Sequence, residues 1–288
     1  MESINATRSQ VTGRVVGVIK KMVKTYGGSL LQHDQMLDTT KEKLERFSRQ
    51  YGIPENEISA YYRVFVPYNS QLPQVLVKAK KPEALEQKRL IIRINKWPIN
   101  SPFPFGQFVK IIGQEGKIRT ETDMILHEYN VDTRPFSQKV LNCLPKEGKN
   151  WTCSPEELAR RWDLRHLDVC SVDPIGCKDI DDALHCITLP NGNYQVGVHI
   201  ADVTHFVKAG AEIDKEAARR CTTVYMVDRR TDMLPGLLTE NLCSLVSNVD
   251  RCAFSVIWEI DSETFFPVKT EFGKSLIRSR ESLNYYAA

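Results

Sequence analysis

No stretch of the 288 residues reaches the roughly 18 consecutive apolar residues that a membrane-spanning helix needs. The opening residues, MESINATRSQVTGRVVGVIK, lack the long apolar run of a secretory signal. Cysteines stand at 143, 153, 170, 177, 186, 221, 243 and 252, yet no two form a CxxC pair. Their scatter in a chain of this size excludes a small disulfide scaffold and offers no zinc spacing. It reads as reduced, mostly buried thiols of an intracellular protein. No internal repeat or low-complexity tract is present. What remains is a globular composition: 42% hydrophobic residues, ample for a packed core, over a length that suggests about two domains.

The net charge of +3 hides an asymmetry. Residues 1–150 carry 24 Lys and Arg against 15 Asp and Glu, net +9; residues 151–288 carry 15 against 21, net −6. A basic half beside an acidic half suits a protein that holds a polyanion with one part and metal ions with the other; an uneven, solvated surface gives the same count.

The first ~125 residues read as short strands. TGRVVGVIKK, YYRVFVPY, QVLVKA, LIIRIN and GQFVKIIG are rich in Val, Ile and aromatics and are separated by Gly, Pro and Asn. About five such strands suggest a small barrel of the OB type. TTKEKLERFSRQYG has helical character and reads as a loop insertion near residues 33–60. Residues 126–160 read as a connector. In SPEELARRWDL, Ser154 is a plausible N-cap, Pro155 opens the helix and Glu157 completes a capping box. Further on, ALHCITLPNGNYQVGVHIADV predicts a hairpin around Asn-Gly, AEIDKEAARR a helix, and AFSVIWEID with FFPVKTEFGKSLI a second strand pair. The second half is therefore α+β.

SVDPIGCKDIDDALH places Asp173, Asp179, Asp181 and Asp182 within ten positions. Asp is common in turns, so a solvated loop is one reading. An EF-hand fails, because Ala183 and Leu184 fill its fifth and sixth places and Pro190 its twelfth. A DxDx[TV] phosphoaspartate site is matched by Asp179 and Asp181 but has Ala183 in its Thr/Val place, which makes it a weak alternative. The frame, however, is apolar: Val172, Ile175, Ile180, Ala183 and Leu184. Carboxylates held against such a frame need counter-charge, and hard oxygen ligands suit magnesium or manganese. An extended IDDAL would send Asp179 and Asp181 to one side and Asp182 to the other, so Asp182 needs a bend to join them. Two ions roughly 4 Å apart would suit phosphodiester hydrolysis.

The same segment resembles the active-site motif of the RNase II / RNase R (RNB) exoribonucleases. Its D-x5-D-x-DD spacing is met without a gap. The similarity continues in order through GNYQVGVHIADVTHFV, EAARRCTTVYMVDRRTDMLPGLL, NLCSLVSNVDRCAFSVIWEI and SRESLNYYAA. Upstream, TGRVVGVIKK and INKWPINSPFPFGQFVKIIG look like the second cold-shock domain of these enzymes, and RHLDVCSVDPIGCKDIDDALHC is most like their eukaryotic, exosome-associated branch. The resemblance implies a cold-shock, OB-type barrel over 10–125, then a truncated α+β RNB catalytic domain over 161–288. It implies processive 3′→5′ hydrolysis of single-stranded RNA to nucleoside 5′-monophosphates, with Mg2+ or Mn2+ as cofactor. The RNA exosome core is the implied protein partner, and nucleus or cytoplasm the implied compartment. Asp173 and Asp182 become the principal metal ligands and Asp179 a supporting one. Asp181 matches an aspartate whose loss abolishes cleavage but not RNA binding. Tyr225 matches a tyrosine that packs on the 3′-terminal nucleotide, and Tyr285 a second RNA-contacting aromatic, with Tyr286 the candidate if the register slips by one.

Other residues have plainer readings. His185, His199, His205 and Asp202 form no ligand pattern with the aspartates and are expected to be structural. Arg219, Arg220, Arg229, Arg230 and Arg251 either contact phosphates or pair with local acids. Lys20, Lys21, Lys24, Tyr26, Trp97, Phe103 and Phe105 offer a basic and aromatic RNA face on the barrel, although each residue alone reads as packing or surface before contact. The sequence stops part-way into the family's catalytic domain, whose downstream half supplies a further arginine and glutamate. A catalytically incomplete fragment that binds RNA or a partner is therefore the alternative expectation.

Overall fold

The computed structural model describes residues 12–14, 16, 17, 19, 24–32 and 35–288, in two compact units that divide between Asn130 and Val131. In the first, β1 (Thr25–Leu30) is followed by helices α1 (Asp38–Tyr51) and α2 (Glu55–Tyr61), then β2 (Tyr62–Pro67), β3 (Val75–Lys78), β4 (Lys88–Lys96), β5 (Phe105–Gln114) and helix α3 (Ile118–Glu128). The strands close into a barrel in the order β1-β2-β3-β5-β4, with β3 and β5 parallel and the other pairs antiparallel. This is the expected OB-type topology.

Two apolar clusters explain it. Phe65, Val75, Val77, Leu90 and Ile92 fill one; Phe47, Ile58, Val64, Leu76 and Phe103 fill the other. Helices α1 and α2 contribute Phe47 and Ile58 to the second cluster, so they cover a strand face that would otherwise lie open.

Two sequence expectations change here. The strand expected over TGRVVGVIKK is absent from its described residues, while 15, 18, 20 and 21 lie outside the description; the first described strand is β1. Helix α3 was not legible, because it buries Thr120 and Thr122 beside Met124 and Leu126 and so shows a weak apolar stripe.

The second unit carries α4 (Gln138–Leu141), α5 (Pro155–Leu158), β6 (Trp162–Asp163), β7 (Val169–Asp173), β8 (Asp182–Thr188), β9 (Tyr194–Ala201), α6 (Glu212–Arg220), β10 (Val224–Tyr225), β11 (Arg230–Thr231), β12 (Asp250–Ile260) and the 18-residue β13 (Pro267–Asn284). Six strands run β12-β9-β8-β7-β13-β6, and β12 also pairs with β13. The β8–β9 hairpin turns through Asn191 and Gly192 as expected. Ser154 caps α5 through the Glu157 amide, but the Glu157 side chain pairs with Arg161 instead of completing a box. Residues 131–160 pack on this unit: Val140 is buried in its core, with Phe136, Cys143, Leu144 and Trp151 against it. The thiols are free, but only Cys243 and Cys252 are buried, and Cys186 and Cys221 are exposed; most are therefore not the core residues expected.

Candidate active site

Strands β7 and β8 pair only at Cys170 and Leu184. Beyond that point the sheet opens, and residues 174–181 bridge the gap as an irregular loop. Gly176, at φ +82°, makes the tight turn that closes with the Cys177 amide on the Pro174 carbonyl. Asp173 ends β7, Asp179 and Asp181 lie on the loop, and Asp182 starts β8.

The four carboxylates are in different states. One Asp173 oxygen, Oδ2, is buried with no hydrogen-bond partner. Burial, with the charges of Asp182 and Asp179, raises the Asp173 pKa above the usual carboxylate range. Asp181 stays partly open to solvent, yet the packing around its carboxyl and then Asp179, Asp182 and Asp173 raise its pKa too. Asp179 is neutralised instead. Arg230 Nη1 stands 2.7 Å from its Oδ1, and the Tyr225 hydroxyl donates to its Oδ2. Tyr225 and Arg230 face each other across the β10–β11 pair, which is how both reach one carboxylate. The hydrogen bond to Asp179 lifts the tyrosine pKa to about 12. Burial, then Asp173, lifts the Cys177 thiol to about 11, so it stays protonated at neutral pH. An open cleft of about 520 Å³ is lined by residues 174–179 with Tyr225, Arg230, Asp232 and Glu240.

Among the described residues no three His, Cys, Asp or Glu side chains are gathered as a ready metal-holding group. The chemistry of the set nevertheless fits a hard divalent cation. It offers carboxylate oxygens only, one of them buried and unpartnered, and two carboxyls whose ionisation is resisted by their neighbours. Asp173, Asp181 and Asp182 carry that fit. Asp179 is already matched to Arg230.

Tyr225 is 65% exposed and Tyr285 66%, so both rings are available for stacking. Tyr285 follows Asn284, which is opposite Asp173 in the β13–β7 register. Tyr286 is also exposed.

The other candidates sort clearly. His185 and His199 are buried, 2.8 Å apart, and extend through Ser255 to Ser275. Gly197 makes this possible, since a Cβ there would sit 2.1 Å from the His185 ring. Asp202 is buried on Arg161 at 2.6 Å and also meets Lys274 at 3.2 Å; its hydrogen bonds, from Thr204 and Arg161 first, outweigh burial and hold its pKa down. His205 lies beside Arg161 and Trp151. Arg219 pairs with Glu216 and Asp132, Arg220 with Glu216, and Arg229 with Asp228. Arg251 is buried and donates to the Ser244 carbonyl. On the barrel, Lys24 lies over Tyr26 and Lys96 over Phe105, and Trp97 is exposed. Phe103 is only 1% exposed, so it belongs to the core and not to an RNA face; Lys20 and Lys21 lie outside the described residues. Sequence reasoning missed Ser244 and Glu240, which act across 64 and 10 residues through contacts with no local signature.

Residues 161–288 match the RNB domain, and residues 62–130 match the Dis3-like cold-shock domain 2. Residues 161–288 thus carry an RNB domain. It is 47% identical to the exosome complex exonuclease RRP44 of Mus musculus over 96% of this chain, and 42% identical to the RRP44 homolog A of Arabidopsis thaliana over 99%. It spans only 26% and 28% of those two relatives. Among solved structures, Mycoplasma genitalium RNase R in complex with ribose methylated single-stranded RNA is similar over 94% of this chain and 38% of its own, at TM-score 0.69 and 20% identity. Yeast Ssd1, a pseudonuclease, is similar over 96% of this chain and 32% of its own, at TM-score 0.69 and 22% identity. These two likenesses concern the RNB-type fold.

Proposed function

We propose that the chain forms the substrate-gripping and metal-holding part of a hydrolytic 3′→5′ exoribonuclease that degrades single-stranded RNA to nucleoside 5′-monophosphates. The observation that carries this reading is the aspartate loop. It strings Asp173, Asp179, Asp181 and Asp182 along one irregular stretch between β7 and β8, and the raised pKa values of Asp173 and Asp181 support a cation there. RRP44 relatives are exosome complex exonucleases, and an RNase R relative has been solved with single-stranded RNA. They support RNA as substrate, the exosome core as partner and an intracellular site of action, in nucleus or cytoplasm.

Asp173 and Asp182 would hold Mg2+, or Mn2+, with Asp181 beside them. A divalent ion bound there supplies a water of lowered pKa and charge for the leaving oxygen. The protein's own part is positional. Tyr225 offers an exposed ring for the terminal base, where stacking accepts any nucleotide. Arg230 holds the Asp179 carboxylate in place through their ion pair. Tyr285 offers a second ring next to the Asp173 end of β7. Lys24, Tyr26, Trp97 and Lys96 give the barrel a basic and aromatic surface for the RNA strand.

A second reading has its own support: the chain binds RNA or a partner without cutting. Ssd1 has a similar fold and is a pseudonuclease. Leu184, Ile200, Phe254 and Phe272 also leave an apolar sheet face exposed. A 5′-labelled single-stranded RNA incubated with the chain and Mg2+, beside Asp181→Asn, separates the two. Shortening from the 3′ end that disappears in the variant supports the exonuclease. Binding by both with cleavage by neither supports the second reading.

A further inference from the structure

The loop that carries Asp179 and Asp181 has lost its strand neighbours, and its backbone groups must find partners elsewhere. They find them on one residue. Ser244 is 0% exposed; its Oγ accepts the Ile180 amide at 3.1 Å and donates to the Lys178 carbonyl at 2.8 Å. The next amide, of Leu245, donates to the Ile180 carbonyl at 2.8 Å. Ser244 thus grips the chain on both sides of Asp179, one residue short of Asp181. Its own backbone is fixed in turn, because the buried Arg251 Nε donates to the Ser244 carbonyl at 2.9 Å. On the far side the Ala201 amide donates to the Asp181 carbonyl at 2.9 Å.

We propose that Ser244 is a positioning residue of the metal-holding loop: its hydroxyl replaces the missing strand ladder and fixes where Asp179 and Asp181 present their carboxyls. The inference rests on the metal reading given above. A hydroxyl is suited to the task because it donates and accepts at once, and a serine is small enough to be wholly enclosed. Groups that orient metal ligands from behind typically change metal affinity about 10- to 100-fold when removed.

The test uses the whole chain and manganese(II) alone, followed by electron paramagnetic resonance, with amide hydrogen exchange measured in parallel. Ser244→Ala is expected to weaken manganese binding by about tenfold or more. It is also expected to speed exchange at Ile180, while the β9–β12 ladder at Val198 and Val256 keeps its protection. Ser244→Thr, which retains the hydroxyl, is expected to restore both. Faster Ile180 exchange with unchanged manganese affinity overturns the inference. If Ser244→Ala loses the ladder protection as well, Ser244→Thr decides: wild-type manganese binding upholds the role of the hydroxyl, and weak binding by the folded variant overturns it. A wild-type chain that binds no manganese sinks the metal reading and this inference together. Wild-type binding left intact by Ser244→Ala sinks this inference alone.

Discussion

The two units are both built on curled strands, yet their interiors differ. The barrel buries Phe65, Val75, Val77, Leu90 and Ile92. The second unit has an apolar cluster too, with Leu167, Val169, Leu245 and Ile277, but its sheet also buries His185, His199, Ser255, Ser275 and the Arg161–Asp202 pair. An apolar core gains by area removed from water and tolerates a change of pH. A polar core holds only while each donor has its acceptor and each charge its partner. The unit that carries the aspartates is therefore the one whose stability depends on protonation and ions.

Substitutions in the two cores should break them in different ways. Arg161 has a fully buried side chain that satisfies Asp202, Glu157 and the Ala253 and Ser275 carbonyls. Arg161→Ala leaves the buried Asp202 with only Lys274 and Thr204 and is expected to cost about 3–5 kcal/mol, read by urea unfolding. Phe65→Ala leaves a cavity and should cost about 3–5 kcal/mol as well, but with no dependence on salt or pH. If both losses respond alike to pH, the contrast between the interiors is wrong.

Acid should discriminate next. Gln195 Oε1 only accepts, so His185 Nε2 carries the proton, His185 Nδ1 accepts from His199 Nε2, and Ser255 donates to His199 Nδ1. Both imidazoles are neutral in this chain. Burial, and then His185, lower the His199 pKa from 6.5 to about 4. An unfolded chain binds the proton first, so this contribution is complete above pH 6.5 and is lost as pH falls toward 4. The loss is on the order of 3 kcal/mol, and His199→Gln should flatten it. Asp173 and Asp181 act in the opposite sense: burial first, and then the neighbouring aspartates, raise their pKa values, so protonation in acid relieves that cost. Smaller still, Ser154→Ala removes the cap of α5 and should cost about 1 kcal/mol by thermal melting.

Legibility followed sequence distance. The strands at YYRVFVPY, QVLVKA, LIIRIN and GQFVKIIG, helix α6 and the Asn-Gly hairpin were readable because period and turn chemistry are local. The aspartate spacing was readable for the same reason. Helix α3 was not, because its buried face is half threonine. Phe103 was readable only as packing or contact, because a sequence does not say which side of a barrel a ring faces. Arg230 could be narrowed only to phosphate or acid; its acids, Asp179, Asp232 and Glu240, meet it through a hairpin that spacing does not specify. The clamp by Ser244 closes across 64 residues and leaves no trace in the local pattern.

The central claim is that the aspartate loop holds repelling carboxylates for a divalent cation. The most direct check is the melting temperature of the chain in EDTA and in Mg2+, for wild type and Asp173→Asn. The account predicts that Mg2+ raises the wild-type value, that Asp173→Asn melts no lower than wild type in EDTA because repulsion is relieved, and that the variant loses most of its response to Mg2+. An equal response in both proteins, or none in the wild type, would contradict it.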